Sequence, residues 1–418
     1  MKIDRNLIVK VIIDQKNELS TFQAASNIIE RESYRKFLPF VNSPQIKVIT
    51  GVRRCGKSVF SAQLLNGKKY AYINFDDEKL INLSSDDLND ILEVLYEVYG
   101  DFKDILLDEI QNIKGWELFV NRLQRQGFNI TVTGSNANLL TRELSTHLTG
   151  RHISLKLFPF SFAEFLKYHN SEYDIKLLST KETAILKGKL QEYINIGGFP
   201  QVVQDPNNSR SYLQSLYSDI IYKDIVLRYK LRLPQILKEI SSNLISNPAS
   251  YVSYNKIKNI FSLRSVQTAS NYISYLEEPF LIFLLPRFSY KAKERSVAVK
   301  KVYAIDTGMI NAAGVSYTEN IGRLYENIVF LELLRRGSEL SYWQDMKGEV
   351  DFVSGNELIQ VCYSLNYDTK KREVKSLLNA GMGKKYLIIT SDYEADERIE
   401  GKLIRFMPLW KWLLTKEP

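Results

Sequence analysis

Short apolar runs alternate with longer amphipathic stretches along the first half of the chain. The apolar runs are 46–50, 70–75, 105–107, 130–133 and 153–157. Strand-length runs separated by stretches with helical spacing are typical of a mostly parallel sheet with helices on its faces. We therefore predict an α/β domain over residues 44–205, preceded by a polar helical lead-in over residues 1–43.

Helical patterns dominate the middle of the chain. The pattern predicts helices at 236–245, 254–261 and 266–276, and apolar strands at 280–285 and 301–305. A winged-helix module has this order of elements, although many small helical lids have it too. We predict a helical, winged-helix-like region over residues 206–305.

The last part of the chain returns to an α/β pattern. A long helix at 322–336 precedes short strands at 340–343, 349–353, 358–363 and 385–389, with a helix at 370–380 before the last strand. We predict a second α/β unit over residues 306–418.

Composition excludes several classes of protein. The 418 residues are too many for one hydrophobic core, and 44% hydrophobic with 25% charged residues is ordinary for a globular chain. The two cysteines and three histidines have no metal-binding or disulfide spacing, which excludes structural zinc and Cys/His catalysis. No apolar run is long enough to span a bilayer, so we expect a cytoplasmic protein without a membrane partner.

A phosphate-binding motif follows the first predicted strand and precedes a helical pattern at 58–65. The motif G-x-x-x-x-G-K-[ST] is matched by Gly51, Val52, Arg53, Arg54, Cys55, Gly56, Lys57 and Ser58. Its glycines let backbone N–H groups face phosphate oxygens, Lys57 reaches the β and γ phosphates, and the Ser58 hydroxyl coordinates magnesium. The sequence therefore predicts a site for ATP and Mg²⁺.

Two acidic residues end the apolar run at 105–107. Asp108 is placed to hold magnesium through its coordination shell, and Glu109 to polarise an attacking water. Because Glu109 stands beside Asp108, hydrolysis by water is favoured over phosphate transfer to an alcohol. GTP is disfavoured because the sequence lacks the guanine-reading Asn-Lys-x-Asp.

Polar residues after the next strand and one arginine complete the candidate site. Ser135 and Asn136 are candidates for hydrogen bonds to the γ-phosphate or the lytic water, although a plain strand-to-loop turn explains them equally well. Arg151 is a candidate arginine finger, in cis or from a neighbouring subunit. A solvated surface charge is the simpler interpretation of a single arginine.

These motifs and several later ones together resemble a known family. The segments that carry the resemblance are 51–58, 105–111, 133–136, 148–151, 158–165, 197–200, 306–308 and 322–327. They resemble the prokaryotic AAA-type ATPases (AAA_14) whose members carry a C-terminal DUF4143 domain. The resemblance implies a P-loop core with an additional strand, a winged-helix-like middle and a C-terminal domain similar to PD-(D/E)xK nucleases.

The nuclease-like motif is incomplete in this chain. Glu326 fits the helix position and Asp351 fits the strand-end position, but Gln360 and Cys362 stand where Glu-x-Lys is expected. Glutamine is a poor ligand for a hard divalent cation, and cysteine cannot replace the lysine. We therefore predict a degenerate, metal-poor and inactive site, with a lysine supplied by Lys370 or Lys371 as the alternative.

A basic and aromatic stretch suggests a nucleic-acid partner. Residues 287–295 with Lys300 and Lys301 carry six basic residues and one acidic residue, a net +5, in a chain of net charge +8. Such a stretch suits phosphate contacts and base stacking, or is a solvated loop.

We expect an ATPase coupled to DNA or a DNA-associated process. The alternatives are a nucleotide-dependent protein-binding switch or scaffold, an active nuclease-ATPase and a small-molecule phosphotransferase, and a homo-oligomer or a protein partner remains open.

Overall fold

A computed structural model describes residues 4–24, 28–136, 150–171, 173–314, 321–346 and 348–415. The chain forms two compact units, Met1–Phe158 with Glu278–Phe280 and Pro159–Glu277 with Leu281–Pro418. The finer division into four predicted segments stays a prediction. In the described part of the chain, no helix is both long enough and apolar enough to cross a membrane.

The first unit is a parallel sheet flanked by helices. Its helices are α1 (Arg5–Ala24), α2 (Glu32–Phe37), α3 (Lys57–Leu64), α4 (Leu88–Tyr99) and α5 (Trp116–Arg125), and its strands are β1 (Ile46–Thr50), β2 (Tyr70–Asn74), β3 (Asp104–Asp108), β4 (Asn129–Gly134) and β5 (His152–Lys156). The strand order is β2-β3-β4-β1-β5 and every pairing is parallel. Helices cover both faces of such a sheet, which explains why its strands read as continuous apolar runs.

Helix α1 belongs to the core of this unit. Ile8, Val11 and Ile12 are buried in the same cluster as the sheet residues. The Gln15 side-chain amide bonds the backbone of Asn74 in both directions, at 3.0 Å to its carbonyl and 2.8 Å from its N–H. The predicted lead-in is therefore packed on the sheet rather than a separate polar segment.

The second unit begins with helices. They are α6 (Phe162–Tyr168), α7 (Thr180–Ile196), α8 (Pro200–Gln204), α9 (Ser209–Asp219), a π-helical segment (Ile220–Val226), α10 (Leu227–Tyr229), α11 (Pro234–Ser246), α12 (Tyr254–Ile260), α13 (Val266–Glu277), α14 (Ala292–Val297) and α15 (Thr307–Ala313). Three short strands, β6 (Ser250–Val252), β7 (Ile282–Leu285) and β8 (Lys300–Ala304), form an antiparallel sheet in the order β6-β8-β7. Along the chain, the elements of this region follow in the order α11, β6, α12, α13, β7, α14 and β8.

A mixed sheet ends the second unit. Its strands are β9 (Leu340–Asp345), β10 (Gly348–Ser354), β11 (Glu357–Cys362), β12 (Lys385–Thr390), β13 (Ala395–Ile399) and β14 (Lys402–Pro408), and its helices are α16 (Ile321–Arg335), α17 (Tyr367–Asn379) and α18 (Leu409–Leu414). The order is β13-β14-β12-β11-β10-β9, with β11, β12 and β14 parallel and the remaining pairings antiparallel. The second α/β region predicted after residue 306 is present.

Three short motifs from the sequence analysis, 158–165, 197–200 and 306–308, are joined in the second unit by close contacts. The Asp306 carboxylate accepts the Gly198 N–H at 2.7 Å, and the Phe160 N–H donates to the Gly198 carbonyl at 2.6 Å. A Cβ added to Gly308 would lie 2.0 Å from the Ile196 carbonyl oxygen. A side chain at residue 308 therefore has no room.

We expect Gly308→Ala to destabilise the second unit, because the new methyl group forces α15 away from the Ile196 carbonyl. Overpacking of this kind costs about 1–3 kcal/mol. Gly188→Ala is the matched control, since Gly188 lies within α7 and an added Cβ there meets nothing within 4 Å. That change should stabilise the helix by about 0.5–1 kcal/mol. Thermal unfolding should therefore shift in opposite directions, and equal midpoints for the two variants would contradict the packing argument.

Candidate functional site

The direction of the strands brings the predicted nucleotide-binding segments together. Strands β1, β3 and β4 run parallel, so their carboxyl ends lie at the same edge of the sheet. The phosphate loop follows β1, Asp108 and Glu109 end β3, and Ser135 follows β4. Ligands bind at this edge in open parallel sheets.

The phosphate loop turns into α3 through glycine geometry. Gly56 caps the helix with a φ of 97°, in the left-handed region, and Arg54 also has a positive φ of 68°. Val52 and Cys55 are fully buried, so their side chains anchor the loop to the protein interior. The Arg53 guanidinium lies 2.7 Å from the Asp76 carboxylate.

A buried arginine holds the loop from outside the motif. The Arg31 guanidinium donates to the carbonyl of Cys55 at 3.0 Å and to that of Phe158 at 2.6 Å. It is buried, so these bonds form away from competing water. Arg31 thus ties the loop to the end of the segment after β5.

The Lys57 ammonium is buried beside Glu109. Its Nζ lies 3.0 Å from Glu109 Oε1 and donates to the carbonyls of Gly51 and Val52 at 3.2 Å each. Burial lowers the pKa of this ammonium, but the charge and hydrogen bond of Glu109, together with the charge of Asp108 and other neighbours, outweigh burial and the pKa is raised. Lys57 is therefore a fixed positive charge at the mouth of the loop.

Asp108 is completely buried and is held by three hydroxyl groups. Tyr72 donates to Oδ2 at 3.1 Å, Thr133 donates to Oδ1, and Ser58 forms a further side-chain hydrogen bond. Burial and the neighbouring Glu109 raise the pKa of this carboxyl group. A cation next to Asp108 would relieve that unfavourable burial.

Glu109 has a backbone conformation that aims its side chain across the edge of the sheet. Its φ is 52°, which is unusual for a residue other than glycine. Glu109 Oε2 accepts the Gln111 side-chain amide at 2.6 Å and the Ser135 backbone N–H at 3.1 Å. Although burial raises it, the Lys57 charge and the Gln111 hydrogen bond bring the pKa of Glu109 down to about 2, so this carboxylate is ionised at neutral pH.

The other predicted residues differ in their placement. Ser135 contacts Glu109 through its backbone, and the Asn136 side-chain amide donates to Glu278 Oε2 at 3.4 Å. Arg151 stands just before β5, where its carbonyl accepts the N–H of Ile46 at the start of β1. Arg151 therefore lies at the amino edge of the sheet, and the structure does not bring it to the phosphate loop of its own chain.

Sequence reasoning missed four residues that shape the site. They are Thr133, whose hydroxyl bridges Asp108 and the Glu109 N–H at 3.0 Å, and Gln111, Tyr72 and Arg31. Thr133 and Gln111 stand within segments that already carried a motif, so their positions at a strand end and after the acids were available signals. Nothing local marked Tyr72 or Arg31, because both act across long sequence separations.

The predicted nuclease-like residues lie together in the second unit. Glu326 on α16 and Asp351 on β10 both contact the ammonium of Lys301, at 3.0 and 3.1 Å. Gln360 on β11 accepts the Asp351 N–H at 3.1 Å. Lys301 was counted in the basic stretch as a candidate phosphate contact, but its side chain is buried and does not reach a DNA phosphate at the surface.

The two lysines predicted as substitutes do not take that position, and Lys371 is exposed on α17. Lys370 on α17 pairs with Glu397 at 2.5 Å and lies over the rings of Tyr393 and Phe406. Lys301, which comes from the middle of the chain, is the lysine that contacts Glu326 and Asp351.

Comparisons with known proteins agree with the first unit. Residues 43–166 match the family model AAA_14, described as an AAA domain, as the sequence resemblance predicted. Residues 187–319 match DUF8612, a domain of unknown function, rather than the predicted DUF4143. Together with the parallel five-stranded sheet, the AAA match confirms the P-loop NTPase fold of the first unit.

One solved structure is similar over much of the chain. It is the Walker-type ATPase PABY2304 of Pyrococcus abyssi, with 16% identity over 68% of this chain and 96% of that chain, at a TM-score of 0.41.

Two relatives match almost end to end. The uncharacterized protein MJ1544 of Methanocaldococcus jannaschii is 38% identical over 99% of this chain and 96% of its own length. An uncharacterized protein of Haemophilus influenzae is 31% identical over 93% of this chain and 99% of its own length. The chain therefore belongs to the family that these two proteins represent, and its own residues 43–166 form an AAA domain.

Proposed function

We propose that this protein hydrolyses ATP with magnesium at the carboxyl edge of the first sheet and couples hydrolysis to DNA or a DNA-associated process. The observation that carries the proposal is the contact between the Lys57 ammonium and Glu109 at 3.0 Å, beside the buried Asp108 and its hydrogen-bond partner Ser58. These four side chains supply a phosphate ligand, two metal ligands and a base within one small volume.

The residues present fit a bound nucleotide and its metal ion. Backbone N–H groups of residues 51–58 line the start of α3, where the helix dipole favours an anion. Ser58 and Asp108 are the groups that would hold magnesium, which neutralises the charge that develops on the phosphate oxygens. A buried carboxylate with a raised pKa is well suited to a cation partner.

Glu109 is the proposed base for the attacking water. Gln111 and the Ser135 N–H fix one of its oxygens, and the other faces Lys57. Lys57 would exchange this carboxylate for the phosphates of an arriving nucleotide. Glu109 would then be released to accept a proton from water, while its ionised state at neutral pH keeps it ready to do so.

The remaining polar residues are assigned supporting roles. Ser135 or Asn136, which follow β4 at this edge, would hydrogen-bond the γ-phosphate or the lytic water, and the Ser135 N–H already contacts Glu109. Arg151 would act as a finger on the site of a neighbouring subunit, because its own phosphate loop is at the other edge of the sheet. A homo-oligomer is thus part of this proposal.

The second unit is the proposed DNA-binding part. The order helix, strand, helix, helix and then two antiparallel strands joined through the short helix α14, with sheet order β6-β8-β7, supports the winged-helix interpretation. The connection between β7 and β8, which contains α14, carries Lys291, Lys293 and Arg295, all exposed. Exposed cations on a wing suit contacts to DNA phosphates.

The nuclease-like assignment of the C-terminal sheet belongs to the same proposal. A helix followed by a three-stranded antiparallel meander, a helix and a parallel strand supports relationship to the PD-(D/E)xK fold and the DUF4143 resemblance. The side-chain amide of Gln360 accepts the Asp351 N–H and donates to Glu373. Both ends of the amide are therefore engaged, which supports an inactive site over an active nuclease-ATPase.

A nucleotide-dependent protein-binding switch is the second candidate function. It is favoured by the Lys57–Glu109 contact, because nucleotide binding must break an existing buried ion pair and so separates two discrete states. Slow turnover with a large difference in assembly between ATP and ADP would support the switch over the DNA-coupled ATPase.

We expect Glu109→Gln to keep ATP binding and to slow hydrolysis by about 10²–10⁴-fold, since it removes the proton acceptor and leaves the loop intact. Lys57→Ala should abolish nucleotide binding. Glu78→Gln, an exposed glutamate of the same unit, is the control and should behave as the wild type. Phosphate release and equilibrium binding of a fluorescent ATP analogue measure the two steps, and normal turnover in Glu109→Gln would refute the assigned role.

Thr133→Val should lower both turnover and magnesium affinity. The lost hydroxyl removes one hydrogen-bond donor from Asp108 and removes the acceptor of the Glu109 N–H. Losing a hydrogen bond to a charged group costs about 1.5–3 kcal/mol. Thr131→Val, two residues earlier on the same face of β4, is the matched control. The magnesium dependence of ATP hydrolysis separates the variants, and identical curves would show that Thr133 does not support the acids.

Replacing Lys291, Lys293 and Arg295 by alanine should weaken DNA binding and DNA-stimulated ATP hydrolysis but leave the basal rate unchanged. Loss of three phosphate contacts should reduce the salt dependence of log K by up to about 3. Replacing the exposed Lys176, Lys181 and Lys187 by alanine removes the same charge elsewhere and is the control. An unchanged ATPase rate with any DNA added to the wild type would count against DNA coupling itself.

A further inference from the structure

A buried lysine lies at the centre of a carboxylate cluster in the second unit. Lys301 on the central strand β8 is only 2% exposed. Its ammonium lies 3.0 Å from Glu326 Oε1 and 3.1 Å from Asp351 Oδ1, and it also contacts Glu349. Because α16, β8 and β10 each contribute, the folded unit builds this cluster from distant parts of the chain.

The carboxylates have further partners that hold them in place. The Tyr303 hydroxyl donates to Glu326 Oε1 at 2.7 Å, and the Val361 N–H donates to Asp351 Oδ2 at 2.9 Å. These bonds fix Glu326 and Asp351 independently of the lysine. Substitution of Lys301 would therefore leave the two carboxylates facing the position of its ammonium.

The cluster holds more negative than positive charge. One ammonium faces three carboxylates, and two of them, Glu326 and Asp351, are largely buried. Such a site favours a cation of higher charge over a single ammonium.

We propose that the Lys301 ammonium is a tethered cation that occupies a divalent-metal site and excludes metal from it. Three carboxylates from two elements are the oxygen ligands that Mg²⁺ and Mn²⁺ prefer, and the three protons of an ammonium match three acceptors. Removing the ammonium opens this position to a metal ion. The proposal rests on the second unit alone and does not depend on ATP hydrolysis.

The geometry of the cluster is that of an ammonium site. Oxygens at about 3 Å suit N–H donors, whereas Mg²⁺ requires oxygens at about 2.0–2.1 Å. Among the residues that the structure describes, no three His, Cys, Asp or Glu side chains converge closely enough to hold a metal ion. The carboxylates would move inward by about 1 Å when a metal replaces the ammonium.

Lys301→Met tests the proposal in the full chain without nucleotide, with Mn²⁺ as the probe. Electron paramagnetic resonance of free Mn²⁺ should reveal one ion bound per chain, at least about tenfold more tightly than to the wild type. Adding Glu326→Gln to this variant should abolish that binding. Lys300→Met, the adjacent lysine on β8, is the matched control and should resemble the wild type.

Three results would overturn the proposal. The first is a folded Lys301→Met protein with no Glu326-dependent Mn²⁺ binding. The second is wild-type Mn²⁺ binding that is equally tight and equally dependent on Glu326. If Lys301→Met does not fold, preparation in Mn²⁺ should rescue it, and the combination of Lys301→Met, Glu326→Gln and Asp351→Asn should fold without metal. Failure of the rescue while that neutral variant folds is the third.

Discussion

The candidate site depends on the parallel pairing of β1, β3 and β4. Parallel strands end at one edge, so residues that follow different strands become neighbours without any special local sequence. The loop after β1, the acids at the end of β3 and the polar residues after β4 are brought together for this reason. The same constraint moves Arg151 away, because it precedes β5 and so stands at the opposite edge.

Each unit buries a lysine among acidic groups, with different consequences. A buried charge is tolerated only when partners replace its lost hydration. Lys57 shares its ammonium between two loop carbonyls and one glutamate, so an incoming phosphate has only one ionic contact to displace. Lys301 is held by three carboxylates, so its charge has three ionic contacts rather than one.

Contiguous features of the site were predictable from the sequence. Strand β1 covers the predicted residues 46–50, and α3 lies within one residue of the predicted 58–65. The phosphate loop and the two acids could be predicted because the residues that define each of them are consecutive in the sequence. The mismatch at Gln360 could be recognised from the sequence as well, since the expected Glu-x-Lys is also a local motif.

Long-range contacts were not predictable in the same way. Arg31 bonds carbonyls of residues distant in sequence, and nothing in its neighbours signals that partnership. From the sequence, Lys301 was counted in a basic surface stretch, because its burial depends on the pairing of β8 between β6 and β7. Charge composition counts such a residue but does not reveal which side of a sheet it occupies.

The contacts of Arg31 and α1 determine which part of the first unit can be isolated as a stable fragment. A fragment limited to the matched residues 43–166 would leave the carbonyls of Cys55 and Phe158 without their guanidinium donor. It would also uncover the apolar sheet face on which Ile8, Val11 and Ile12 pack. The smallest autonomous piece of the first unit therefore begins well upstream of the recognisable family boundary, and sequence similarity alone underestimates the cooperative unit.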